Sequence, residues 1–457
     1  MTLDRLIGYV HFVVARTIDI ALFPPILFVV TIVGGARITR AAARRSKHFR
    51  LAKMPTILCL QPGMINAYNL HGDEILSYFT VPSTASLHIL DTASDVEADF
   101  SPKAGVRIIG WKPSIWYERL CRLGLRESPC WLRELDTVSR MLEHVMRNGI
   151  HFVRSIQHGH SALCGGIVAA SFRIPHVVEV AGNYEMLRRI WGTTFYFPWL
   201  GSVRGIRVIF RALNNALLGW PLKHAYRVIG RNKNNYEHAF ALGASVERLA
   251  LIRINVAQSF IDEGPYEPPM SGRYMLFVAR ITTEKFPQDV VVVFEKLARR
   301  YPDLSLVMIG DGVLLSAIRE QAKATGYGNR IHILGKRPYK DVIRWTRGAA
   351  VAFETYSGSA LAEKMICSVP VVAYDVEWMS EIVMHNYSGK LARFRDVDAV
   401  YRACCELFDD PAHAKDLAQM GAQLAGAMFD QKTIRQQEEQ IFNEAFLSAA
   451  LNHPVRD

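Results

Sequence analysis

Residues 351–383 read VAFETYSGSALAEKMICSVPVVAYDVEWMSEIV. A small apolar strand end, Ala349 to Phe353, runs into a turn-like segment from Thr355 to Ser359. A helical run from Ala360 to Cys367 follows, then a short apolar strand from Val369 to Ala373, and Asp375 opens the next loop. Strand, glycine-containing turn, helix and strand make one unit of a parallel sheet. Ligands of such sheets bind where strands end and helices begin. Gly358 lets backbone N–H groups approach a phosphate, and the helix starting near Ser359 offers its positive end. Glu363 lies one turn into that helix, placed to meet sugar hydroxyls. This arrangement suits a nucleotide-sugar, and an ordinary βαβ crossover fits the stretch equally well.

The flanking sequence repeats the unit. Tyr274–Ala279 reads as a strand, followed by Arg280 and by Thr282-Thr283-Glu284-Lys285. Asp289–Arg300 is an amphipathic helix, Leu304–Ile309 a strand ending in Gly310-Asp311-Gly312, and Leu314–Ala324 a helix. Ile331–Leu334 with Gly335 is a strand and turn, and Lys340–Arg347 is helical. Alternating βα elements with short loops predict a parallel sheet with helices on both faces. Helices are expected over Val397–Phe408, Ala412–Met428 and Lys432–Ala449.

A separate domain begins near Met54. Thr56–Leu60 is a buried strand ended by Gln61-Pro62-Gly63, and Asn66, Tyr68 and Asn69 fall in its first loop. The loop lacks GxGxxG, which disfavours a nicotinamide-dinucleotide start. Strands are expected at Leu87–Leu90, Val106–Ile109, Phe152–Ile156, Ile174–Val180, Ala225–Gly230 and Leu249–Asn255, with helices at Trp131–Met146, Ser161–Ser171 and Tyr236–Leu242. Two polar loops sit at strand carboxyl ends, Gln157-His158-Gly159-His160 and Gly182-Asn183-Tyr184-Glu185. The two histidines read equally as solvated loop residues or as functional ones. A metal would need a third ligand, and none is evident nearby. Arg188–Gly219 is aromatic and basic, suited to covering a crevice or touching lipid. Three prolines and two glycines in Glu263–Gly272 mark a linker.

A chain of 457 residues is too long for one ordinary core. Its net charge of +11 suits anionic lipid, phosphate-bearing ligands or nucleic acid. Residues 6–35 are mostly apolar, and Arg37, Arg40, Arg44, Arg45, Lys47, Arg50 and Lys53 follow at once. Residues 1–53 are therefore expected to meet the cytoplasmic face of a membrane by spanning it, re-entering it or lying on it. A nucleic-acid-binding role lacks any recognised module. The seven cysteines form no CxxC pair, which disfavours zinc and thioredoxin-like readings.

Four elements of the second domain together carry a family pattern: ARITTEK at 279–285, MIGDG ending at Gly312, HILG ending at Gly335, and GSALAEKMICSVPVVAYD from Gly358. They resemble the nucleotide-sugar domain of family 4 retaining glycosyltransferases, over about residues 270–430; residues 54–260 match in layout only. The resemblance implies a GT-B fold, α/β, with two Rossmann-like doubly wound domains facing a crevice. It implies that Arg280 and Lys285 hold the donor diphosphate and that Gly358, Ser359 and Ala360 meet its phosphates. Glu363 would hold the ribose, and the base would lie around Ile333 to Lys336, with Gly310 and Gly335 also on the donor side. Two positions depart from the family. Thr355 stands where the first glutamate of E-x7-E falls, and Ala181-Gly182 stands for a histidine-glycine pair. His158 is the catalytic candidate on the first domain, with Asn66, Tyr68, His160 and Asn183 on the acceptor side.

The expected layout is a membrane-associating segment at 1–53, an acceptor-side domain at 54–262, a linker at 263–272, a nucleotide-sugar domain at 273–430 and a C-terminal helix at 431–457. The expected activity is transfer, with retention and without a metal, of a sugar from a nucleotide diphosphate to a hydroxyl of a lipid-linked or membrane-proximal glycan. The alternative is a non-catalytic sugar-nucleotide-binding or scaffold protein of glycan assembly.

Overall fold

The computed structural model describes residues 54–451 except 81–83, 126, 193, 198–203, 263–266, 268 and 357. The apolar segment and basic cluster expected at 1–53, and part of the expected linker, lie outside the described residues. The chain divides into two compact units. The first holds residues up to Asn69, Thr80–Ile252 and the chain from Gln436; the second holds Leu70–Phe79 and Arg253–Arg435. Among the described residues no helix is long and apolar enough to cross a membrane.

The first unit is built on an eight-stranded sheet, from β1 (Thr56–Leu60), β2 (Ser86–Asp91), β3 (Ala98–Lys103), β4 (Val106–Gly110), β5 (Phe152–Ile156), β6 (His176–Val180), β7 (Arg227–Gly230) and β8 (Leu249–Leu251). Its order is β3-β4-β2-β1-β5-β6-β7-β8. All neighbours pair in parallel except β3 and β4. The parallel strands are covered on both faces, so they read as mainly apolar runs, interrupted where Arg154 of β5 and Glu179 of β6 pair with each other. Leu58, Leu60 and Val153 pack with Met141, Leu142 and Val145 of the helix Glu127–Asn148 and with Phe172 of the helix His160–Phe172.

Three features differ from the sequence expectation. β3 reads ADFSPK; it is an edge strand with alternating half-buried and exposed positions, and its charges and Pro102 hide it from a pattern search. β8 stops at Leu251 rather than Asn255. Arg207–His224 forms an 18-residue helix whose last turn contains Pro221.

Beneath this sheet the final helix, Gln431–Leu451, brings Glu438 to two buried arginines. Arg154 Nε lies 2.5 Å from Glu179 Oε1, and Arg231 NH2 lies 2.6 Å from Glu438 Oε1. Arg231 Nε also donates to Glu179 Oε2 at 2.8 Å, and Arg154 lies over the Phe442 ring. Two carboxylates thus neutralise two guanidinium groups away from water. Removing one partner from such a group strands a buried charge.

The second unit carries β9 (Tyr274–Val278), β10 (Ser305–Ile309), β11 (Ile331–Ile333), β12 (Val351–Glu354), β13 (Val371–Asp375) and β14 (Lys390–Arg393). The order β11-β10-β9-β12-β13-β14, with every pair parallel, is the Rossmann arrangement. The direction of winding reverses at β9 and β12. β14 was not evident from sequence because its KLAR is short and charged at both ends; Lys390 is buried there, 2.7 Å from Glu406.

Glu438→Ala should lower unfolding free energy by about 3–5 kcal/mol, the cost of leaving buried arginine uncompensated. Urea melts of the full chain check this, and a loss below about 1 kcal/mol would contradict the role given to the quartet.

Candidate functional site

In the second unit the switch point at β9 and β12 gathers the donor-side candidates. β12 ends at Glu354, and the helix Ser359–Ile366 begins five residues later. Glu354 does not face a ligand. Its carboxylate lies 2.5 Å from Lys364 Nζ, and both side chains are buried. Lys364 also donates to the Ala360 carbonyl at 3.2 Å. Glu354 therefore does not stand in for the glutamate missing at 355. Thr355 ties the turn to the neighbouring loop, its hydroxyl donating to the Lys285 carbonyl at 2.5 Å.

Lys285 closes the link from the other side. Its ammonium donates to the Tyr356 carbonyl at 2.7 Å and lies 4.8 Å from the Tyr356 ring centroid. Burial, followed by repulsion from Arg280, lowers its pKa to about 8. The Arg280 side chain is 70% exposed and pairs with Glu284 at 3.0 Å. Two cations, one buried and one exposed, thus leave the same loop.

Gly358 is the N-cap of the helix Ser359–Ile366, and a Cβ there would meet nothing within 4 Å. The space over the helix start is open. One turn on, Glu363 is buried, and burial raises its pKa to about 7 against the pull of Lys364 and a Ser359 hydrogen bond. A carboxyl near neutrality can accept from a hydroxyl or donate to one.

Gly310 has a different reason to be glycine. Its φ is +143°, and a Cβ would come 1.8 Å from the Ala279 carbonyl oxygen. It lets the loop after β10 press on the loop after β9, so the structure explains Gly310 by packing. Gly335, at φ +71°, has open space around it, and its carbonyl accepts from Gly310 N at 2.9 Å. Ile333 ends β11 half-buried.

In the first unit, the loops after β1, β5 and β6 leave neighbouring strands. Asp91, at the end of β2, caps the first of them. Its Oδ1 accepts from Gly63 N at 2.7 Å and its Oδ2 from Ile65 N at 2.9 Å. Asn66 is exposed on the helix Met64–His71, and Tyr68 is tilted against Phe100. Asn183 acts as a helix cap, accepting from the N–H groups of Glu185 and Met186. Its amide also donates to Asn234 at 3.0 Å.

The two histidines of the β5 loop part company. His158 is fully buried, stacked on Tyr184 at 4.3 Å and edge-on to His238 at 5.1 Å. Burial holds it well below the ordinary histidine range, so it is neutral and is not presented to solvent. His160 borders a cavity of about 230 Å³ with Tyr117, Arg133, Gln157, Ser161 and Phe195. Its Nδ1 lies 2.5 Å from Glu134 Oε1, and the Cys164 thiol reaches the same carboxylate. Burial raises the Glu134 carboxyl, but His160 and Cys164 outweigh it and leave the pKa below the usual range. Sequence reading missed Glu134 because it lies mid-helix, 30 positions from Cys164. Among the described residues no group of three or more His, Cys, Asp or Glu could hold a metal.

Over 85% of this chain and the whole of the other, the structure matches HepE of Anabaena in complex with UDP and glucose, at a TM-score of 0.63 and 16% identity. It matches the sucrose-phosphate synthase of Thermosynechococcus elongatus at 0.66 and 15%, over 86% of this chain and all of that one. The fold is GT-B, with two parallel-sheet domains. Residues 261–424 match the model of the family described as glycosyl transferases group 1. Over 234 residues the chain is 22% identical to the glycogen synthase of Mycobacterium tuberculosis, covering 50% of this chain and 56% of that one. It is 27% identical over 156 residues to the GDP-mannose-dependent alpha-(1-6)-phosphatidylinositol monomannoside mannosyltransferase of Mycolicibacterium smegmatis, covering 32% of this chain and 41% of the relative. The chain thus spans about half the length of these curated relatives.

An anion beside Lys285 favours its charged form, so its pKa must be higher in the complex than about 8, its value in the free protein. Affinity for a nucleoside diphosphate at this loop should then be level below about pH 8 and fall by up to about tenfold per unit above it, until the pKa of the complex is passed. Titration calorimetry between about pH 7 and 10 checks this against Lys285→Arg, which should stay flat because arginine keeps its charge.

Proposed function

We propose that this chain transfers a sugar from a nucleotide diphosphate donor to a hydroxyl acceptor, with retention. The observation that carries the reading is the convergence of Lys285, the open helix start at Gly358 and the buried Glu363 at the Rossmann switch point. The family match over 261–424 supports it.

Cleaving the bond between sugar and diphosphate builds negative charge on the departing oxygens. Lys285 answers as a point charge, while Arg280 can grip two oxygens with its planar fork. The N–H groups of Ser359 and Ala360 add the positive end of their helix. These groups can neutralise the leaving diphosphate without a metal. Glu363 holds the ribose hydroxyls. The acceptor hydroxyl belongs in the first unit's cavity beside His160, whose ring is oriented by Glu134. The acceptor proposed is a lipid-linked or membrane-proximal glycan at the cytoplasmic face of a membrane. The acid-free, basic run after Asp19 and the named substrate class of the mycobacterial mannosyltransferase support that part.

A second reading has one observation in its favour. β12 presents no free carboxylate, since Glu354 is held by Lys364 and residue 355 is threonine. On that reading the chain binds a sugar nucleotide without turning it over.

Arg280→Ala and Lys285→Ala should each cut transfer by about 10²–10³, the usual loss when one preorganised charge partner is removed. Steady-state assay of folded variants checks this; near-full activity in either removes that residue from the leaving-group role. Glu363→Gln should weaken donor binding, and unchanged affinity would remove it from the ribose. Donor binding by the wild-type chain without turnover across nucleotide-sugars and glycan acceptors would favour the second reading.

A further inference from the structure

The helix Arg207–His224 is anchored by one face only. Asn214 and Leu218 are buried, Asn214 Oδ1 accepts from Tyr196 N at 3.0 Å, and Phe210 meets Phe197. The other face is apolar and open. Val208 is 70% exposed, Ile209 65% and Leu213 38%, and Ala212 and Ala216 continue the exposed rows. Positions 208, 212 and 216, and 209 and 213, are one turn apart, so they form a continuous stripe.

Charge around the stripe has one sign. No aspartate or glutamate occurs between Glu185 and Glu237. Arg204, Arg207 and Arg211 lie at the helix start, and none has an ion-pair partner among the described residues. Elsewhere on this unit Arg107 is paired with Asp99 and Arg189 with Glu185, while the exposed Arg119 and Arg173 also have no ion-pair partner among the described residues; at this helix the three unpaired cations sit beside an apolar stripe. Cations at a helix start oppose the helix dipole, so this helix gains nothing internally from them. Branched apolar side chains beside unpaired arginines complement a layer with anionic phosphates outside and hydrocarbon within.

We propose that the helix Arg207–His224 lies along an anionic lipid bilayer. Val208, Ile209 and Leu213 enter the acyl boundary, and Arg204, Arg207 and Arg211 meet the lipid phosphates. This contact belongs to the folded first unit and is separate from anything residues 1–53 do. It does not rest on sugar transfer.

The test places a diazirine-bearing leucine analogue at position 209, and separately at 213, in the full chain. Irradiation follows with phosphatidylcholine vesicles that do or do not contain about one-third phosphatidylglycerol. Lipid adducts at both positions are expected with the anionic vesicles. The same analogue at Val313, which is 86% exposed in the second unit, should give few. Arg204→Glu with Arg207→Glu should lower the adduct yield at 209 by about fivefold or more for each charge removed. All these substitutions are at exposed positions, and circular dichroism verifies folding. Adducts only with solvent, crosslinks to a protein chain in place of lipid, or equal lipid labelling at 313 would each overturn the proposal.

Discussion

The ion pair between Glu354 and Lys364 fixes the place on which the rest of the site depends. It joins the last residue of β12 to the first turns of the next helix, across the turn that carries Gly358. Both groups are buried, so neither can be lost without stranding the other. Two further bonds tie this turn to the loop after β9: the Thr355 hydroxyl to the Lys285 carbonyl, and the Lys285 ammonium to the Tyr356 carbonyl. Gly310, pressed on Ala279, locks the β9 loop from its other side. The helix start is therefore set before a ligand arrives. Preorganised dipoles and charges of this kind need not reorganise when charge develops.

The first unit uses the same device with other residues. Asp91 clamps the start of the helix Met64–His71, Asn183 clamps the next loop, and Glu134 orients His160. The Arg154–Glu179–Arg231–Glu438 quartet holds the final helix to the sheet. Burial separates the two loop histidines: His158 is enclosed by aromatic rings, while His160 keeps an edge on a cavity.

Much of this was legible in the sequence, for a physical reason. Parallel strands covered on both faces are mainly apolar, so β1, β9, β10 and the start of β12 stood out, and β5 did so despite Arg154. Edge strands answer to solvent as well as to the core, and β3 and β14 escaped. The helix Arg207–His224 was hidden because its exposed face is as apolar as its buried one. In the donor loop the residue types were readable, but their partners were not. Nothing local shows that Glu354 is consumed by Lys364, or that the Arg231 charge is met by Glu438, 207 positions away. Gly310 was expected on the donor side, and its close packing on the Ala279 carbonyl is visible only in the structure.

A crystal structure of the full chain with a bound nucleoside diphosphate tests the central claim most directly. The account predicts the diphosphate on the N–H groups of Ser359 and Ala360, Lys285 Nζ turned from the Tyr356 carbonyl to a phosphate oxygen, and the ribose hydroxyls on Glu363. A nucleotide bound elsewhere, with Lys285 still on Tyr356 and Glu363 untouched, would contradict it.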